Sequence, residues 1–234
     1  MMKELLIMLI YLPVILLSQD FTINPYLQNA SPNSITIMWE YSNWDVSFVE
    51  WGNTNNLGNI DSTTFEITSS PACIFTAKLT GLQPNTKYYY KVTTGSSVSS
   101  IFDFYTPADH AYEKSINIIL MSDMQTDSNN PKKFTEIINN GIIDYLQNNF
   151  GGNTNENLDM ILIPGDLVST GTNYSHWKTD FFAQSEPLFS TVPFYPVLGN
   201  HEANANLYFQ YMDLPTNGTL GYDCLLYTSD AADE

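Results

Sequence analysis

Two hydrophobic periods divide the chain. Ile35, Ile37 and Trp39 alternate with Thr36, Met38 and Glu40, the period of a strand with one face buried. Short runs of similar character recur at 47–51, 65–68, 73–79, 87–92 and 100–106, with Gly, Pro, Asn and Ser between them. About seven short strands within residues 21–107 predict an all-β Greek-key sandwich. Trp39, Trp51 and Phe48 sit at strand spacing and are expected in its core.

The pattern changes after a linker at 108–115. Residues 116–121 form a near-continuous apolar run, as a parallel strand buried on both faces should. Phe134, Ile137, Ile138 and Ile142 then recur at helical spacing within 131–148, with Gly141 as a weak point. Residues 158–163 and 194–198 read as further strands, and 174–189 as a second helix. The order β-α-β-α-β predicts a partial α/β domain over 116–223, with its chemistry on loops at the strand C-termini.

The N-terminus adds an export signal. Lys3 precedes an apolar stretch at 5–17 that only Pro13 interrupts, too short to span a bilayer comfortably. A signal peptide over 1–18 is expected, with no stable membrane span after cleavage. The protein is then secreted, periplasmic or on the cell surface. The net charge of −17 argues against nucleic acid as a partner. An acidic protein can still act on anionic phosphate where bound metal ions reverse the local field.

Two cysteines in an exported chain invite a disulfide, but Cys224 is a poor partner for Cys73. The last eleven residues, from Cys224 to Glu234, resemble one reading frame of a transposase-type sequencing adapter. The native sequence is therefore expected to stop being informative near Asp223. Without Asp230, Asp233 and Glu234 the charge of −17 becomes −14.

Three motifs occupy the expected loops: Ser122-Asp123-Met124-Gln125, Pro164-Gly165-Asp166-Leu167 and Gly199-Asn200-His201-Glu202. Each puts a polar, metal-capable side chain just past a strand, so three distant segments converge on one sheet edge. Phosphate-ester hydrolysis needs a nucleophile near neutral pH and neutralisation of the phosphoryl oxygens. Two metal ions about 3.5–4 Å apart supply both. Asp166, with two carboxylate oxygens, is the natural bridge; Asp123 would hold one metal and the Asn200 amide oxygen the other. His201 would stabilise the transition state or protonate the leaving oxygen. Gln125 and Glu202 complete the candidate pocket, Glu202 more as support for His201 or its loop than as a ligand.

The run Leu82-Gln83-Pro84-Asn85-Thr86-Lys87-Tyr88-Tyr89-Tyr90-Lys91-Val92 resembles the fibronectin type III pattern. It places Tyr88 as a corner tyrosine whose hydroxyl bonds nearby backbone. The Gly-Asp and Gly-Asn-His-Glu motifs resemble the calcineurin-like metallophosphoesterase superfamily. With a β-sandwich ahead of them, the chain is similar to purple acid phosphatases from about residue 21 to 223. The resemblance implies hydrolysis of phosphate monoesters, a small phosphorylated substrate, and two metal ions drawn from iron, zinc or manganese.

Three departures qualify it. The superfamily's histidine two residues after the first aspartate is here Gln125. The tyrosine that colours purple acid phosphatases is here Ser169, so no purple band is expected. The superfamily also completes its site with later histidines, in Val-x-x-His and Gly-His-x-His segments. This sequence contains only His110, His176 and His201, and the first two read as structural or surface residues. The chain as it stands is expected to hold two metals poorly, its parent to continue past Asp223. A phosphodiester or nucleotide substrate, or a catalytically silent surface protein that binds through its sandwich, are the alternative readings. Asn29, Asn173 and Asn217 each open a glycosylation triplet.

Overall fold

The computed structural model describes residues 21–111 and 113–214. The expected signal peptide, the adapter-like tail and the Asn217 triplet lie outside the described residues.

The first domain is an antiparallel sandwich. Strands β1 (Phe21–Ser31), β2 (Ser34–Tyr41), β6 (Ala72–Thr80) and β5 (Thr64–Ser69) form one sheet in the order β1-β2-β6-β5. Strands β4 (Asn59–Ser62), β3 (Ser47–Gly52) and β7 (Lys87–Thr94) form the other with β8 (Ser97–Val98) and β9 (Phe102–Tyr105). Both β8 and β9 pair with β7, at its opposite ends. Strands β1, β4 and β8 were not singled out by the alternation pattern, because β1 bulges and the other two are short. Leu27, Ile35, Ile37, Trp39, Phe75, Leu79, Tyr90, Val92 and Phe104 build the core between the sheets. Trp51 lies partly buried against it, while Phe48 is half-exposed. Tyr88 is buried as expected of a corner residue, and its hydroxyl accepts from the Gln83 backbone N–H at 2.9 Å.

The second domain carries a three-stranded parallel sheet, in the order β10 (Ile118–Leu120), β11 (Met160–Ile163), β12 (Phe194–Pro196). Helix α1 starts at Lys133–Glu136, widens to a π-helical stretch at Ile137–Ile143 around Gly141, and closes as Asp144–Phe150. After a short helix α2 (Thr154–Asn157), helix α3 repeats this build. It comprises Tyr174–His176, a π-helical Trp177–Phe182, and Ala183–Phe189. Helix α4 (Asn206–Tyr211) follows the last site loop. Phe134, Ile138, Trp177, Phe181, Leu188, Phe189 and Phe194 fill the space between helices and sheet.

One strand departs from expectation. β10 is not buried on both faces: Ile118 and Leu120 are 49% and 69% exposed. It is an edge strand of the described sheet, and the helices described cover only one side of that sheet. The opposite deviation occurs in β2, where every residue from Ile35 to Tyr41 is buried. The face expected to meet water packs instead on the second domain, with Ile23, Tyr26, Met38 and Ile74 joining that domain's core. Polar bonds cross the same boundary. Tyr26 Oη donates to Tyr211 O, Gln28 Nε2 to Phe194 O, Tyr90 Oη to Ser190 O and Ser190 Oγ to Pro25 O, at 2.7–3.0 Å.

Candidate metal centre

The three predicted loops do meet at the C-terminal edge of the parallel sheet, as strand direction requires. Asp123 follows β10 and Asp166 follows β11, and both adopt left-handed backbone conformations (φ 59° and 55°). Aspartate tolerates this region better than most residues, and outliers of this kind collect at sites whose surroundings hold them in place. Met124 N–H donates to Asp166 O at 3.0 Å, which fastens the Asp123 loop beside the Asp166 loop.

The Asp166 and His201 loops are held much more closely. Gly165 (φ 92°) lies so near the third loop that a Cβ built on it would sit 2.8 Å from Gly199 Cα. A Cβ on Gly199 would collide with the Asp166 backbone N and its Oδ1. Only glycines allow the two backbones to approach this far.

Glu202 locks that approach. Its side chain is fully buried and its carboxylate accepts four backbone N–H bonds. Oε1 takes Leu167 N at 2.8 Å and Val168 N at 3.2 Å. Oε2 takes Asp166 N at 3.0 Å and Gly199 N at 2.8 Å. These are hydrogen bonds to a charged acceptor, stronger than neutral ones, and they offset the cost of burying the charge. Glu202 therefore supports the loops from beneath rather than lining the pocket.

His201 is fixed from both sides. Its backbone N–H donates to Asp166 Oδ1 at 3.2 Å, and its O accepts from Gly171 N at 2.9 Å. Its ring Nδ1 lies 3.0 Å from Ser169 O. A carbonyl can only accept, so Nδ1 carries a proton, which leaves Nε2 as the ring nitrogen not committed to the backbone. The Ser169 backbone thus matters here, a role that side-chain reasoning at this position missed.

The other candidates separate by exposure. Asp123 and Asn200 are exposed, and Asp166 and His201 are half-buried. Gln125 is half-buried, and its Oε1 is enclosed without a hydrogen-bond partner among the described residues. A buried acceptor in that state calls for a donor or a cation. The donor chemistry accordingly fits a metal in part: carboxylate and amide oxygens with one imidazole nitrogen. Among the described residues no three His, Cys, Asp or Glu side chains come together as a metal-holding group. His110 lies in an exposed segment, and His176 Nδ1 on helix α3 is buried without a partner among the described residues.

Two family models match the chain side by side. Residues 22–106 match the purple acid phosphatase N-terminal domain, and residues 116–229 the calcineurin-like phosphoesterases. The first domain belongs with the purple acid phosphatase N-terminal domains, the second with the calcineurin-like phosphoesterases. A curated relative from Arabidopsis thaliana, named probable inactive purple acid phosphatase 27, is 31% identical over 140 residues. That match takes in 56% of this chain and 22% of the relative, so the chain spans about a fifth of its length. The solved structure of PhoD superposes with a TM-score of 0.52 at 13% identity, over 80% of this chain and 40% of that one. At that identity the likeness is one of fold. The two family assignments cover the sandwich and the parallel sheet, in the order read from the sequence. No described helix is long and apolar enough to cross a membrane.

Proposed function

We propose that the C-terminal sheet edge is the metal-binding part of a phosphoric ester hydrolase acting on small phosphate monoesters, in an exported protein. The observation that carries this reading is the joining of the Asp166 and His201 loops through Glu202 and two close-packed glycines. It makes one rigid unit of groups that come from different strands. Asp166 is read as the carboxylate shared by two cations, with Asp123 on one and Asn200 on the other. Cations there, whether iron, zinc or manganese, would neutralise phosphoryl oxygens and lower the pKa of a bound water. His201, with its proton held at Nδ1 by Ser169 O, has Nε2 as the ring atom that can take up and release a proton toward a leaving oxygen. Gln125 Oε1, enclosed and without a partner among the described residues, is read as a further oxygen donor two residues after Asp123. An oxygen-rich set favours manganese over softer ions.

A second reading is favoured by two observations. The described residues contain no three-membered His/Cys/Asp/Glu group, and the Arabidopsis relative is named probable inactive. In that reading the chain binds metal or ligand without turnover.

Hydrolysis of 4-nitrophenyl phosphate with added Mn²⁺, Zn²⁺ or iron tests the first. Loss of the shared carboxylate in Asp166→Asn should cost about 3 kcal/mol, a rate loss of about a hundredfold. Equal rates in both proteins would refute the assignment. Metal binding that depends on Asp166, without turnover in either, would support the second reading.

A further inference from the structure

The sandwich domain contains a buried acid that the site does not use. Glu40, near the end of β2, is completely buried and forms no ion pair among the described residues. Its carboxylate is held by four hydroxyls. Thr22 donates to Oε1 at 2.6 Å and Thr68 donates to Oε2, both from the sandwich. The other two come from the α/β domain: Tyr174 donates to Oε1 at 2.6 Å and Tyr211 to Oε2 at 2.8 Å. Burial and the adjacent carboxylate push both phenols well above their usual range, so both stay protonated and able to donate.

The places of the two tyrosines in the chain give this contact its meaning. Tyr174 opens helix α3, directly after the loop whose Ser169 O and Gly171 N hold the ring and backbone of His201. Tyr211 closes helix α4, which begins just after the His201 loop. One sandwich carboxylate therefore ties down both arms that flank His201. Tyr26 Oη, bonded to Tyr211 O at 2.8 Å, braces the second arm from the same domain. A carboxylate this deeply buried is costly unless every hydroxyl is aimed at it, so the cluster tolerates only one spacing of the two arms.

We propose that Glu40 is a positioning residue for the site, through which the β-sandwich sets the spacing of the loops that hold His201. The proposal rests on reading His201 as part of the site, but its test needs no turnover. The variant Tyr174→Phe/Tyr211→Phe removes both interdomain hydroxyls and keeps the rings, and Glu40 keeps its two threonine partners. Backbone amide exchange in the full chain, measured by NMR, reads Gly171 N–H and His201 N–H directly, with β6 and β7 amides as controls. In this variant and in Glu40→Gln, exchange at Gly171 and His201 should accelerate at least about tenfold relative to the controls, the loss expected for even one charge-assisted hydrogen bond. Uniform acceleration at all amides would make Glu40 a mere stabiliser and overturn the proposal. So would unchanged exchange at Gly171 and His201. If Glu40→Gln fails to fold, the phenylalanine variant alone decides. Turnover failing in a wild-type protein that shows this exchange pattern would strike the hydrolase reading and leave the positioning role intact.

Discussion

Replacing Glu202 by Gln tests the clamp with almost no change in volume. One carboxylate oxygen becomes an NH₂ group facing backbone N–H donors. Whichever way the amide turns, two N–H groups lose their acceptor: Asp166 N and Gly199 N, or Leu167 N and Val168 N. A buried orphan donor costs about 1–3 kcal/mol, so the gross loss is about 2–6 kcal/mol. The two bonds that survive also weaken from charged to neutral. Against this, the variant no longer buries a charge, which returns part of the penalty. The net destabilisation should be about 2–4 kcal/mol, a large share of a domain's usual stability. Urea unfolding of the full chain at neutral pH, followed by tryptophan fluorescence, measures it, because Trp177 lies in the same domain's core. A change below about 1 kcal/mol would mean the four bonds add nothing beyond what water supplies in the unfolded chain, and the clamp argument would fail.

Other consequences follow from single contacts. Gly199→Ala should destabilise by about 3 kcal/mol or more, because the new Cβ meets backbone as well as the Asp166 carboxylate; denaturant midpoints check it. Gln125→His should raise Zn²⁺ affinity relative to Mn²⁺ about tenfold, as imidazole replaces an amide oxygen; competition titration reads the ratio. Tyr90→Phe should cost about 1 kcal/mol by removing its bond to Ser190 O across the domain boundary, measured by the same unfolding assay. Tyr26 and Tyr90 are buried, and burial raises their phenol pKa values well above 10. Their contribution is full below pH 10 and falls above it, as the unfolded tyrosines ionise and the native ones do not. Each should then remove about 1.4 kcal/mol of stability per pH unit, measurable by unfolding at pH 10–11.5.

Much of this molecule is written in local patterns. The second sheet follows from apolar runs placed just before polar loops, because strand direction alone sends Asp123, Asp166 and Asn200 to one edge. Helix α3 ends where the pattern predicts, at Phe189, although its middle is π-helical. What the sequence hid depends on contacts between distant segments. Glu40 lies on the side of β2 that alternation assigns to water, yet the neighbouring domain covers it. Met38 on the same side was the available hint, being apolar where a polar residue was expected. Glu202 was legible as part of a motif, but its partners are backbone N–H groups, which no side-chain pattern records. The exposure of Ile118 and Leu120 likewise depends on which neighbours an edge strand has, and a strand's own residues do not specify that.

In the proposed site Asp123, Asp166 and Asn200 hold metal, and His201 beside them moves the proton. Electron paramagnetic resonance of Mn²⁺ titrated into the full chain, compared with Asp166→Asn, tests the metal assignment most directly. The wild-type chain should take up Mn²⁺ saturably, and the variant should bind at least about tenfold more weakly, as expected when a ligand carboxylate loses its charge. Equal binding in the two proteins would contradict that assignment.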